Sequence, residues 1–120
     1  MQLTPFEALF LTHFVSDWLF QTKWETLNKS KQFLPLLVHC SIYTLFFIPA
    51  FYIYNIQLVH LLTLFVSHLI LDNRQFEYWW LKTIKRTVKE DVSESLWNIL
   101  VIGIDQVFHL AVIGYIVLVG

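Results

Sequence analysis

Long apolar runs separated by two polar connections dominate the chain. Four runs, residues 4–21, 33–54, 56–73 and 94–120, approach the roughly 20 residues that a helix needs to cross a hydrocarbon core. None of them alternates with a period of two, so helices rather than barrel strands are predicted. Thr4 is suited to an N-cap and Pro5 to a first helical turn. Pro35 sits near the start of the second run, and Pro49 predicts a kink in it. Only Tyr54 and Asn55 are left for the turn into the third run. Residues 22–32 read as a polar loop. In the longer polar stretch 74–93, Phe76, Trp80, Ile84 and Val88 recur every four residues, with Lys82, Lys85, Arg86 and Lys89 among them. That pattern predicts an amphipathic helix over 76–89 lying on anionic lipid headgroups, with a solvated, charge-faced loop as the competing reading. The predicted fold is all-α: a four-helix transmembrane bundle with a short cytoplasmic interfacial amphipathic helix, one domain over residues 1–120.

Composition agrees with a lipid environment. The chain is 57% hydrophobic and 14% charged, where a soluble domain carries about 25% charged residues. A lone cysteine, Cys40, excludes an internal disulfide and a cysteine-based zinc site. The first apolar run contains His13 and Asp17 and lacks a basic leader, so it does not read as a cleavable signal. All Lys and Arg residues fall in the two polar connections: Lys23, Lys29 and Lys31 in the first, Arg74, Lys82, Lys85, Arg86 and Lys89 in the second. The positive-inside rule then places both connections in the cytoplasm and both termini outside, in a multi-pass protein of the cytoplasmic membrane. Trp24, Trp79, Trp80 and Trp97 fall at the same interface. The expected partners are the bilayer and, since four short helices enclose little space, a second copy of the chain; no nucleic-acid module is present.

Ionisable side chains inside such runs cost roughly 2.5–3.5 kcal/mol each on insertion scales, so they need a partner or a purpose. Here they come in pairs four residues apart: His13 with Asp17, His68 with Asp72, Asp105 with His109. The second run offers His39 with Tyr43. A spacing of four puts both members on one helical face. The first and third runs read His then Asp, and the oppositely directed fourth reads Asp then His, so all three pairs turn their Asp toward the cytoplasm. That is the arrangement antiparallel helices need to build a common site. Three readings follow. The first is a divalent metal site, zinc, manganese or iron, with His13, Asp17, His39, His68, Asp72, Asp105 and His109 as candidate ligands. The second is a proton or ion relay. The third is a set of interhelical contacts that only fix the packing. Gln21, Lys29, Tyr43 and Gln106 flank the cluster as supporting or substrate-facing candidates. His60 reads as interfacial or packing, Glu7 as exposed, and Cys40 points away from the His39 face. Zinc-protease, phosphate-loop and nucleophile-elbow motifs are absent.

The run from His13 to Trp24 (HFVSDWLFQTKW), Asn28-Lys29, His39 with Tyr43, HLILD from His68 to Asp72, and DQVFH from Asp105 to His109 together resemble a family of small bacterial and phage membrane proteins, domain of unknown function 3307. The resemblance covers nearly the whole chain. It implies a multi-span protein of the bacterial inner membrane with no established activity. It also implies that His13, Asp17, Gln21, Trp24, Lys29, His39, His68, Asp72, Asp105, Gln106 and His109 are characteristic positions. Ser16 departs from the pattern, standing where a Gly is expected. The leading expectation is a metal-binding membrane protein acting as a hydrolase on an anionic substrate. A transporter or ion conduit and a structural, partner-binding protein are the alternatives.

Overall fold

The computed structural model describes residues 2–19 and 21–120; Met1, and Phe20 within the first predicted span, lie outside the described residues. Among the described residues every regular element is helical. Helix α1 (Pro5–Phe14) starts at a reciprocal cap in which the Thr4 hydroxyl accepts from the Glu7 N–H and the Glu7 carboxylate accepts from the Thr4 N–H. It passes into a single π turn, Val15–Leu19. The Ser16 hydroxyl donates to the Thr12 carbonyl at 2.7 Å and the His13 carbonyl at 3.2 Å at this junction, a back-bond of the kind that bends helices. Ser16 therefore marks where the helix loosens.

Residues 22–32 are more ordered than a polar loop. Thr22 and Glu25 form a second reciprocal cap that starts α2 (Lys23–Asn28). Helix α3 (Phe33–Phe46) gives way at Phe47 to α4 (Ile48–Ile53). Pro49 has no N–H to offer the carbonyl four residues back, and the Phe47 N–H closes onto Thr44 instead, which is the break Pro49 predicts. The turn that follows is longer than two residues. Asn55 takes a left-handed conformation (φ 55°), the Ile56 N–H reaches Phe51, and α5 (Val59–Asp72) begins three residues after the predicted start.

The predicted interfacial helix is shorter than expected: α6 covers Gln75–Thr83. The Trp80 carbonyl accepts from both Ile84 and Lys85, and Arg86 turns left-handed (φ 52°), so Ile84 and Val88 lie past the helix end. Phe76 and Trp80 do not face outward; their rings pack edge-on against Phe108, at centroid distances of 4.8 and 4.9 Å. A short 3-10 turn, Lys89–Asp91, leads to α7 (Glu94–Val119), capped by Ser93.

Helix α3 packs on α5, α5 on α7, α7 on α1, and α1 on α4 while the π turn meets α3, closing a ring. One end of its interior is apolar: Leu9, Phe47, Phe51, Leu64, Ile113 and Ile116. The other end holds His13, Asp17, His39, His68, Asp72, Asp105 and His109, all buried. Tyr43 sits where the two meet. Leu19, Tyr52, Leu62, Ile99, Val107 and Leu118 are exposed on the outer surface. Two helical stretches, Phe33–Ile53 and Glu94–Val119, are long and apolar enough to cross a membrane.

Candidate metal centre

Four elements deliver the polar end of the interior. The π turn supplies Asp17, α3 supplies His39, α5 supplies His68 and Asp72, and α7 supplies Asp105 and His109. Four donor atoms converge most tightly. His39 Nε2 stands 2.8 Å from His68 Nε2, 2.9 Å from Asp72 Oδ2 and 3.1 Å from Asp17 Oδ1. His68 Nε2 stands 3.2 Å from Asp72 Oδ2. With metal–donor bonds near 2.1 Å, neighbouring ligands of an octahedral or tetrahedral ion are about 3.0–3.4 Å apart. These four separations lie near that edge length, while His68 Nε2 and Asp17 Oδ1 stand farther apart, at 3.8 Å. A second group, Asp72, Asp105 and His109, shares Asp72 with the first.

The hydrogen bonds around the imidazoles decide which nitrogens face inward. His109 Nδ1 lies 2.7 Å from the Asp105 carbonyl, an acceptor only, so Nδ1 carries a proton. His109 Nε2 and His68 Nδ1 share a hydrogen bond of 2.6 Å. His68 Nε2 and His39 Nε2, 2.8 Å apart, share another beside Asp17 and Asp72. His39 is oriented alike, with Nδ1 turned to Glu25 Oε2 at 3.6 Å and Nε2 to the centre. Metal-bound histidines commonly present their outer nitrogen to a carboxylate or carbonyl in this way. The Tyr43 ring stacks on His68 at 3.7 Å and 7°, locking its plane.

The carboxylates tell the same story. No hydrogen bond reaches Asp17 Oδ1, Asp72 Oδ1 or Asp105 Oδ1 although all three are buried. Imidazole nitrogens stand 3.1–3.5 Å from them but side by side rather than in line. Buried oxygens normally have a partner, and these three sit where a cation would supply one.

One cation is already there. Lys29, at the end of α2, reaches inward and places Nζ 2.7 Å from Asp72 Oδ2 and 3.6 Å from Asp17 Oδ1. Burial works to lower its pKa, but the Asp72 and Asp17 carboxylates more than offset this and hold it above the ordinary lysine value. Lys29 is therefore a charged part of the centre.

His13 belongs to neither donor group. Its Nε2–H donates to Gln106 Oε1 at 2.7 Å, and its Nδ1 accepts from the Tyr43 hydroxyl at 2.8 Å. Gln106 Nε2 in turn donates to Asp105 Oδ2 at 3.2 Å. His13 thus ties Tyr43 to Asp105 and fixes the walls of the centre. Gln21 donates to Thr26 at 2.8 Å and lines a cavity of about 320 Å³ with Asp17, Lys29, Arg74, Asp105 and Gln106. Cys40 is buried outside both groups. His60 lies near the opposite end, and Glu7 is spent on its cap.

Three residues join the site without having stood out in the sequence. Glu25 backs His39; its Thr-x-x-Glu cap was the readable signal, but for a helix start and not for a site. Glu77, on α6, is fully buried with neither oxygen hydrogen-bonded. Burial, reinforced by the Asp105 charge, pushes its carboxyl up to about 8. Arg74 takes a left-handed conformation (φ 73°) on the cavity wall, two residues past Asp72.

No curated protein and no solved structure matches the chain. A family model described as protein of unknown function (DUF3307) matches residues 6–119, and the chain belongs to that family.

Proposed function

We propose that the chain is a four-span membrane protein that holds a divalent ion on Asp17, His39, His68 and Asp72 and uses it in hydrolysis. The observation that carries this reading is the convergence of two imidazole Nε2 atoms and two carboxylates, all buried and within 4.8 Å of one another. His109 with Asp105, and Glu25, orient the two histidines from behind. The N2O2 donor set suits zinc, manganese or iron. A bound ion lowers the pKa of a coordinated water toward about 7, and the buried carboxylates supply a base beside it.

The membrane assignment is supported by the many large apolar residues that stay exposed on the outer surface while a cluster of ionisable residues is buried within. The 46 Å long axis exceeds the roughly 30 Å hydrocarbon core, and the polar connections carrying every Lys and Arg are assigned to the cytoplasmic side. The exposed Lys82, Lys85, Arg86 and Lys89 suit anionic headgroups there.

A second reading has its own observation. The 2.7 Å contact between Lys29 and Asp72 makes a charge-compensated network that needs no metal, serving packing or proton transfer. Metal analysis of detergent-purified protein by mass spectrometry separates the two. About one ion per chain in the wild type, lost in a folded Asp17→Asn variant, is expected. Metal-free protein after incubation with zinc, manganese and iron would leave the network reading.

A further inference from the structure

The cavity beside the donor atoms has a wall of unusual character. Lys29 and Arg74 both line it, with Gln21 and Gln106 between carboxylates. Arg74 forms no ion pair within 4 Å and no side-chain hydrogen bond among the described residues. Its backbone is left-handed, which costs a non-glycine residue about 1–2 kcal/mol, and such strain gathers at functional sites. The rim is apolar: Trp18 also lines the cavity and is 63% exposed, with Leu19 beside it at 72%.

Charge decides what the cavity accepts. Without an ion, Asp17 and Asp72 hold Lys29, and Arg74 alone is left to attract an anion. Glu25 lies behind His39, on the side away from the centre. A divalent ion on Asp17 and Asp72 adds positive charge beside the cavity. It also takes over the carboxylate oxygens that now hold the Lys29 ammonium, freeing Lys29 to turn toward the cavity it already lines. Three positive centres then surround one space. A carboxylate ligand brings one charge and two oxygens; a phosphomonoester brings nearly two charges and three terminal oxygens, enough to meet all three.

We propose that this cavity is the substrate subsite and takes the phosphate of a phosphomonoester, held by Arg74 and Lys29 beside the metal position. The proposal rests on the metal reading above. The apolar rim admits either a lipid phosphate entering from the bilayer or a small soluble phosphate, and the chemistry they share is the phosphate group.

The test is calorimetric titration of inorganic phosphate into detergent-purified protein, with metal content measured on the same samples. Phosphate is expected to bind the metal-loaded wild type and to bind the chelator-stripped protein at least tenfold more weakly. Arg74→Asn removes the charge with a residue that tolerates a left-handed backbone; it should keep its metal and its thermal stability and lose at least tenfold in phosphate affinity. Arg74→Lys should recover part of that loss. A second arm repeats the titration in nanodiscs of phosphatidylcholine with and without a tenth of phosphatidic acid. Suppression of phosphate binding by phosphatidic acid identifies a lipid source, and undiminished binding a soluble one; either supports the subsite. Equal affinity in wild type and Arg74→Asn overturns the proposal, as does a metal-loaded protein that ignores phosphate. Protein that never retains metal overturns the metal reading as well, and the metal analysis shows that separately.

Discussion

Lys29 and Asp72 offer the sharpest test of the centre, because the two readings of it assign opposite roles to the lysine. The pair is dry, with side chains 8% and 0% exposed, and in contact at 2.7 Å. Removing one partner of a buried pair leaves the other uncompensated, at a cost of roughly 3–5 kcal/mol, whereas replacing both by groups of similar shape is often close to neutral. Asp72→Asn is therefore expected to destabilise the metal-free protein by about that amount, and Lys29→Met/Asp72→Asn to recover most of it. Thermal unfolding in detergent reads both. Metal binding breaks the symmetry between the single variants. On the metal reading Asp72 is a ligand, so Asp72→Asn and the double variant should lose the ion. On the same reading Lys29 is a competing cation, so Lys29→Met should bind the ion more tightly than wild type, and its stability should fall when a chelator is added. A purely structural network predicts the reverse: both single variants equally destabilised, with no response to metal or chelator. A double variant that holds wild-type metal, or a Lys29→Met variant with weakened metal binding, would refute the assignment of Asp72 as ligand and Lys29 as competitor.

Three further outcomes follow from neighbouring contacts. Glu77 titrates near 8 in the fold and near 4.5 when unfolded, so the folded state holds the extra proton; stability is fully present below the lower value, declines as pH rises toward 8, and should decline less in Glu77→Gln, as thermal unfolding across that range will show. Tyr43→Phe keeps the stack on His68 but removes the donor to His13 Nδ1, leaving a buried acceptor unmatched at about 1–3 kcal/mol; metal content should be unchanged, and loss of metal would contradict the placement of His13 outside the ligand set. Phe108→Ala removes the surface on which Phe76 and Trp80 pack, at less than the roughly 3–5 kcal/mol of a fully buried Phe because Phe108 is only partly buried; tryptophan emission should shift to the red, and an unshifted spectrum would mean that α6 is held elsewhere.

The helices were legible because their signals are local. Thr4, Pro5 and Pro49 mark starts and breaks that need no tertiary context, and the structure places a cap or a break at each. The end of α6 was not legible. The repeat Phe76, Trp80, Ile84, Val88 continues past Thr83, but Arg86 leaves the right-handed region, and no residue type there announces it. Nor does periodicity say what an apolar stripe packs against: Phe76 and Trp80 read as a lipid face, and Phe108, more than two dozen residues away, claims them.

The site was legible in membership and not in roles, and the reason lies in the π turn. A spacing of four puts His13 and Asp17 on one face of an α-helix, which makes them an apparent ligand pair. In the π turn, which contains Ser16 and its back-bond, Asp17 joins His39, His68 and Asp72, while His13, a turn earlier, is consumed by Tyr43 and Gln106. The pair His68–Asp72, on an unbroken helix, does meet at 3.2 Å. Regular spacing is thus a sound guide only where the helix is regular. What spacing cannot show at all is which neighbour a side chain meets across the bundle. The Asp105 carbonyl holds His109, His109 holds His68, and His68 meets His39, so three helices align their imidazoles beside Asp17 and Asp72. That alignment, more than the count of histidines, is why this cluster reads as a place for a cation: Lys29 reaches into it now, and a metal ion would compete for the same carboxylate oxygens.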